Sequence, residues 1–107
     1  MTVYDSLSGK EIQSLPAPET MDGVYYDANF KRIYVTGGRW YGTPGASPGW
    51  IYVYQQKDPD RYEMIAKIMT RPGSGTSLLV PQLNRFYVAS QALDGQPAAI
   101  LVFEPQS

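Results

Sequence analysis

Short stretches of alternating apolar and polar residues run along the whole chain, and turn-forming residues separate them. A period of two is typical of β-strands that bury one face. No stretch sustains the 3.6-residue period of a helix. The pattern predicts strands at residues 10–15, 23–26, 32–36, 50–55, 61–68, 76–80, 85–90 and 98–104, with residues 3–5 as the end of another strand.

The chain contains an internal repeat. Residues 32–36 (RIYVT) match residues 85–89 (RFYVA) at an offset of 53 residues, and Ile12 and Leu15 match Ile65 and Ile68 at the same offset. Residues 51–54 (IYVY) match residues 100–103 (ILVF) at an offset of 49 residues. We therefore treat residues 1–107 as one unit with two copies of the repeat, over about 10–55 and about 61–104.

Composition agrees with an all-β chain. Hydrophobic residues make up 43% of the sequence and charged residues 18%, which is too apolar for a disordered chain. The content of 10 Gly and 9 Pro implies many turns. The 9 Tyr, 3 Phe and 2 Trp suit pleated, half-buried surfaces.

Charge argues against some classes of partner. The net charge is −1 and the pI is about 5.2, so no positive field attracts phosphate backbones, and nucleic acid is disfavoured. The same acidic balance opposes a further hypothesis, in which single-stranded nucleic acid stacks on aromatic side chains of the loops. No apolar run reaches the roughly 18 residues of a membrane helix. The polar start MTVYD lacks the regions of a signal peptide, and we leave the compartment open.

Residues 31–38 (KRIYVTGG) resemble the signature of the bacterial YVTN-repeat β-propellers, the YncE-like and lactonase-like seven-bladed proteins. Residues 22–27 (DGVYYD), 51–58 (IYVYQQKD) and 81–88 (PQLNRFYV) resemble the last blades of that family. The resemblance implies an all-β fold of four-stranded antiparallel blades. Members of that family are often periplasmic or secreted, and the compartment of this chain stays open. A single eight-stranded β-sandwich is the alternative fold.

The predicted blades are out of phase with the chain. With strands lettered A to D from the centre of a propeller outward, the order is the end of a C strand, then D, A, B, C, D, A, B, C. The resembled rings have about seven blades, and this chain supplies two. We therefore expect a homo-oligomer in which the D strand at residues 10–15 completes the last blade of a neighbouring copy. A trimer of six blades is the first expectation and a tetramer of eight blades the second.

One end of the predicted blades carries the candidate binding surface. In propellers the loops that join D to A and B to C lie on one face. The longest of these, residues 37–49, carries Arg39, Trp40 and Tyr41 and leads into Trp50. A cation and flat aromatic rings are enriched at binding hot spots. We predict a loop-face site for a small molecule or protein at Asp22, Arg39, Trp40, Tyr41, Trp50 and Arg71, with packing of the aromatic rings within the loop as the alternative.

The sequence offers little for catalysis. It has no His and no Cys, which removes the commonest general base, metal ligand and thiolate nucleophile. Glu19 and Asp22 share a loop near the predicted axis but have no acidic counterpart in the second copy. We expect a non-enzymatic module for binding or assembly, with no catalytic residues, cofactor or metal. The alternative is a fragment of a lactonase-like hydrolytic propeller without a complete active site.

The repeated charged residues have structural interpretations. Arg32 and Arg85 follow the A-to-B turns, on the side opposite the candidate loops, where we expect them to bind backbone carbonyls or a carboxylate. We expect Asp27 to close its own turn. Asp58 and Asp60 flank Pro59 in another turn, and too few oxygen ligands surround them for a calcium loop.

Overall fold

The computed structural model describes residues 1–18, 20–38, 48–72, 74–90, 92, 95 and 97–106. Within these residues the chain is all-β, and every strand pair is antiparallel. A single 3₁₀ turn at Pro81–Leu83 is the one helical element described. The strands are β1 (Thr2–Tyr4), β2 (Glu11–Ser14), β3 (Met21–Asp27), β4 (Arg32–Gly37), β5 (Gly49–Asp58), β6 (Arg61–Thr70), β7 (Ser77–Val80), β8 (Arg85–Ser90) and β9 (Ala99–Phe103).

Consecutive strands pair to give three separate sheets. The N-terminal sheet contains β1 and β2, the central sheet contains β3, β4, β5 and β6, and the C-terminal sheet contains β7, β8 and β9. Short turns join neighbouring strands, as antiparallel pairing allows. This division into three sheets excludes the two-sheet sandwich that was the alternative fold.

The central sheet is covered on both faces along β4 and β5, and β5 shows why. Its side chains alternate between the two faces, and both sets are apolar. Ile51 and Val53 join a core cluster with the C-terminal sheet, where Phe86 and Val88 are buried. Tyr52 and Tyr54 join a second cluster with Leu15 at the end of the N-terminal sheet. The nearly continuous apolar run on β5 therefore belongs to a strand that is buried on both sides.

The sequence repeat is also a repeat of strand pairing. Tyr25 pairs with Tyr34 in the central sheet, and the residues 53 positions later, Leu78 and Tyr87, pair in the C-terminal sheet. Thr36 pairs with Ile51, and the corresponding pair in the second copy is Ala89 with Ile100. The two sheets therefore have the same register wherever both copies have a strand.

A β-bulge extends the repeat to the N-terminal sheet. The register of β1 on β2 steps from Val3 opposite Gln13 to Tyr4 opposite Glu11, which leaves Ile12 as the extra residue. The register of β5 on β6 makes the same step and leaves Ile65 as the extra residue, 53 positions after Ile12. Because a bulge fixes the register of a pair, β1 and β2 correspond to the third and fourth strands of the central sheet.

All the predicted strands are present, and the structure differs from the prediction mainly in where the strands begin and end. β5 runs to Asp58, since its last residues pair with β6 in a two-stranded hairpin beyond the start of β4, and β6 runs to Thr70 because Thr70 pairs with Gly49. β3 begins at Met21, two residues before the predicted start, because Met21 pairs with Gly37. β2 is shorter than predicted, since its partner β1 has only three residues.

Candidate functional site

Four loops are predicted on the candidate face, at residues 16–22, 37–49, 69–75 and 91–97, and described residues of the first three come together at one end of the sheets. Thr20, before β3, donates a hydrogen bond from its hydroxyl to the carbonyl of Gly38 and accepts one of 3.2 Å from the Gly38 N–H. The N–H of Gly49 donates a 3.0 Å hydrogen bond to the carbonyl of Arg71. The prediction that these loops share one face is confirmed for this part of the chain.

Arg71 links this loop end to the remaining connection, between β8 and β9. Its guanidinium donates a 2.7 Å hydrogen bond to the carbonyl of Pro97. Arg71 is half-buried, so its backbone and side chain together hold three connections in contact. Its backbone carbonyl accepts the hydrogen bond from the end of the β4–β5 loop, and its side chain donates the one to the β8–β9 loop.

Asp22 lies at the start of β3 and is exposed. Its carboxylate lies against Gly75, so closely that a Cβ built on Gly75 would be 2.3 Å from Oδ2 of Asp22. Gly75 is therefore needed for the approach of the carboxylate. Asp22 thus reaches the connection between β6 and β7 instead of pointing away from the molecule.

Trp50 faces a different part of the molecule. It packs against the second core cluster, and its ring makes an edge contact with Tyr52 at a centroid distance of 6.3 Å. The ammonium of Lys67 lies 5.0 Å from the ring centroid, within cation–π range. In the described residues, no hydrogen bond or ring contact joins Asp22, Trp50 and Arg71 to one another. Arg39, Trp40, Tyr41 and Glu19 lie outside the described residues, and their roles stay predictions.

A set of buried hydroxyls under the loop end was not foreseen from the sequence. Thr36 donates a 2.7 Å hydrogen bond to the carbonyl of Gly75 and lies 2.7 Å from the Ser77 hydroxyl. Ser74 and Ser90 pair their hydroxyls at 2.9 Å, and both residues are buried. Their signal in the sequence is weak, because single Ser and Thr residues at strand ends are more often exposed. They join the central and C-terminal sheets beneath the loops.

At the opposite end the structural interpretations of the charged residues are confirmed. Arg85 donates to the carbonyls of Leu83 and Asn84 at 3.2 and 3.0 Å and lies 3.6 Å from the Glu104 carboxylate. Arg32 donates to the carbonyl of Gln106 and, at 3.2 Å, to the side chain of Gln55. The two arginines thus hold the turns and the end of β9.

The predicted turn role of Asp27 is confirmed as well. Asp27 is buried and accepts a 2.9 Å hydrogen bond from the N–H of Asn29. Asp58 makes the same contact with Asp60 at 2.9 Å, on an exposed turn.

In the described part of the chain, no three acidic residues are close enough together to hold a metal ion. No described helix is long or apolar enough to cross a membrane.

An uncovered apolar surface lies on the C-terminal sheet. We call it the open face, and it consists of Leu78, Tyr87, Ile100 and Val102 with Ala89. Leu78, Ile100 and Val102 are between 53% and 62% exposed, and the face contains a depression of about 300 Å³. Single exposed apolar residues are ordinary, but a contiguous apolar sheet face marks an interaction surface.

A second uncovered apolar area lies on the central sheet. We call it the open patch, and it consists of Val24 and Tyr26, which are 52% and 49% exposed. Val24 pairs with Val35 and Tyr26 pairs with Ile33, so the patch shares the sheet face that the N-terminal sheet covers elsewhere. The N-terminal sheet leaves it bare because it supplies two strands for a four-stranded face.

Comparison with known proteins gives no relative: no family model, no curated protein and no solved structure matches the chain. The resemblance to YVTN-repeat propellers therefore stays a prediction that rests on the residues alone.

Proposed function

We propose that the chain is a non-enzymatic β-propeller assembly module that associates head to tail with copies of itself into a ring. In this proposal the open face of one copy packs on the open patch and the adjoining face of the central sheet in the next copy. Each copy contributes two blades, so a trimer of six blades is the preferred ring and a tetramer of eight the second choice. The loop end remains the surface for further binding.

The observation that carries the proposal is that the open face repeats a face which is already buried. Each of its four large side chains has a counterpart in the central sheet that packs in the first core cluster. Tyr34, the counterpart of Tyr87, stacks on Phe86 with a centroid distance of 5.2 Å and is 5% exposed. The other counterparts are Tyr25 for Leu78, Ile51 for Ile100 and Val53 for Val102.

The open patch has the complementary relationship. Val24 and Tyr26 precede Ser77 and Leu79 by 53 residues. Ser77 and Leu79 lie on the face of the C-terminal sheet that the central sheet covers, and the hydroxyl of Tyr25 donates to the carbonyl of Ser77. The chain therefore exposes both halves of one kind of sheet-to-sheet interface that it also forms internally.

The geometry of such an interface favours a closed assembly. The two surfaces are different, so their contact is head to tail, and repetition of it leads either to a ring or to a fibre. The internal copy of the interface sets a fixed rotation between neighbouring sheets, and repeated application of one rotation within a plane closes a ring. A ring also covers every copy of both apolar surfaces, which a soluble protein rarely leaves exposed.

Two single substitutions test the proposal because each removes one half of the interface. Ile100→Asp puts a charge on the open face, and Val24→Asp puts one on the open patch. Both positions are more than half exposed, so each substitution should change the melting temperature of the single chain by only a few degrees. Light scattering should show the unmodified chain as a trimer or tetramer and each variant alone as a monomer.

The mixture of the two variants gives the decisive result. Each variant retains one intact surface, so an equimolar mixture should form a one-to-one dimer and nothing larger. Leu7→Asp, at a position that is 97% exposed and outside both surfaces, serves as the matched control and should keep the ring. A monomeric unmodified chain at high concentration, or a mixture that stays monomeric, would overturn the proposal.

A further inference from the structure

We propose that β1 occupies the place of the β9 strand of a neighbouring copy, and that assembly displaces β1 so that β9 pairs with β2 of the next copy. This inference rests on the proposed function, since it names the segment through which two copies join. In this inference the docking site is β2 together with the second core cluster beside it. The partner that docks there is a second copy of this chain.

A strand count leads to the inference. The C-terminal sheet has the first three strands of the repeat. The N-terminal sheet has the third and fourth strands, because its bulge matches the bulge between β5 and β6 of the central sheet. Together they hold five strands for a four-stranded sheet. The third position is present twice, as β1 and as β9, so both cannot lie beside β2 in one assembled sheet.

β1 and β9 present the same pattern of side chains to this position. The register maps Val3 onto Val53 of the central sheet, and the repeat maps Val53 onto Val102. Val3 and Met1 pack against the second core cluster. Their counterparts on β9, Val102 and Ile100, are 57% and 62% exposed. The apolar side chains of β9 that lack a covering surface are those that fit where Val3 and Met1 lie.

β9 is also the more complete strand for this position. β1 has three residues and β9 has five, so β9 can form more backbone hydrogen bonds and bury more apolar surface. The edge of β9 that faces away from β8 is unpaired among the described residues, and unpaired edges accept further strands. Beside it lies a cleft of about 320 Å³ lined by Ile65, Ile68 and Phe103, in which Ile65 and Ile68 are 45% and 37% exposed.

The bulge fixes the register of the exchanged pair. In the central sheet Tyr52 lies opposite Lys67 and Val53 opposite Ala66. The same register on β2 places Leu101 opposite Ser14 and Val102 opposite Gln13 of the next copy. Ser14 is opposite Thr2 when β1 is in place, so one residue reports on both arrangements.

Disulfide cross-links distinguish the two arrangements, since the chain has no Cys of its own. Directly opposite residues on antiparallel strands have Cα separations of roughly 4.5–5.5 Å, within reach of a disulfide. We expect assembled Ser14→Cys and Leu101→Cys chains, mixed and oxidised, to give a covalent dimer on a non-reducing gel. Val102→Cys with Gln13→Cys repeats the test without altering a core residue. Thr2→Cys with Ser14→Cys in one chain reports on β1 and should form its bond in the monomer fraction.

Removal of β1 gives an independent readout. Deletion of residues 1–9 keeps β2 and should lower the concentration for half-assembly by about tenfold, because displacement of β1 no longer opposes docking. If rings form, yet the Thr2–Ser14 bond persists in them and no bond joins Ser14 to Leu101, then the strand replacement is wrong and the assembly proposal stands. If no rings form under any condition, the assembly proposal itself fails, and the replacement with it.

Discussion

The N–H of Gly49 donates a 3.0 Å hydrogen bond to the carbonyl oxygen of Arg71, and this contact joins the start of β5 to the connection after β6. There is no room for a side chain at this contact. A Cβ on Gly49 would lie 2.5 Å from the Arg71 carbonyl oxygen and 2.4 Å from the Thr70 hydroxyl. The backbone at the loop end is therefore closely packed beneath the candidate binding surface.

Gly49→Ala should destabilise the fold by about 1–3 kcal/mol, the usual cost of overpacking a rigid site. The loss follows because the carbonyl of Arg71 is backbone and cannot move without β6. Urea unfolding measures it, with Gly9→Ala as the control. Gly9 has a φ of +75° and open space around it, so its substitution costs about 1–2 kcal/mol from backbone strain alone. Equal free energies of unfolding for Gly49→Ala and the unmodified chain would contradict the close packing at Gly49.

Asp27→Ala should destabilise the fold by about 1–3 kcal/mol, since it removes the hydrogen bond that the N–H of Asn29 donates to the buried carboxylate of Asp27. Asp58→Ala removes the same contact, of the same 2.9 Å length, from an exposed turn where water replaces it. Its effect should stay within about 0.5 kcal/mol. Paired denaturation curves decide the matter, and similar losses for the two variants would show that burial of Asp27 has no energetic role.

Tyr54 should make the fold sensitive to alkaline pH. Burial raises the pKa of Tyr54 to about 12, with a smaller contribution from Tyr52, and its hydroxyl donates to the carbonyl of Pro16. The ordinary pKa is 10.0, so the folded state resists ionisation. The stabilisation is present in full below pH 10 and is lost as pH rises towards 12, at up to about 1.4 kcal/mol per pH unit.

Tyr54→Phe removes this ionisation and should flatten the loss of stability above pH 10, although it loses about 1 kcal/mol at neutral pH with the hydrogen bond. Some slope should persist, because burial also raises the pKa of Tyr34. Tyr4→Phe, at a position 61% exposed, serves as the control and should keep the unmodified profile. Unfolding followed by circular dichroism from pH 9 to pH 12 measures the slopes. Identical slopes for Tyr54→Phe and the unmodified chain would show that another group controls the alkaline transition.

The order of strands was predictable because it depends on local pattern. Alternation of apolar and polar residues marks a strand wherever one face is buried, and turn residues such as Asp27 mark its end. The offset of 53 residues between the two copies also predicted that both have the same pairing. Strand ends were less predictable, since pairing with a neighbour decides them, as the extension of β5 to Asp58 shows.

The candidate site was predictable to a smaller extent. The sequence indicated that the loops would gather at one end, because loops two strands apart in an antiparallel series emerge on the same side. It did not indicate that Trp50 would turn towards Lys67 and away from Asp22 and Arg71. The face on which a side chain lies depends on register, and a shift of one residue reverses it.

The sequence by itself determined the all-β class, the order of the strands and the repeat, because each follows from contacts between residues near in the chain. Tertiary structure alone decided which surfaces are covered. Tyr34 and Tyr87 occupy equivalent places in the repeat, yet Tyr34 is buried under Phe86 while Tyr87 lies on the open face. Their local sequences are alike, and the difference arises from whether another sheet lies above them, which depends on the arrangement of the whole chain.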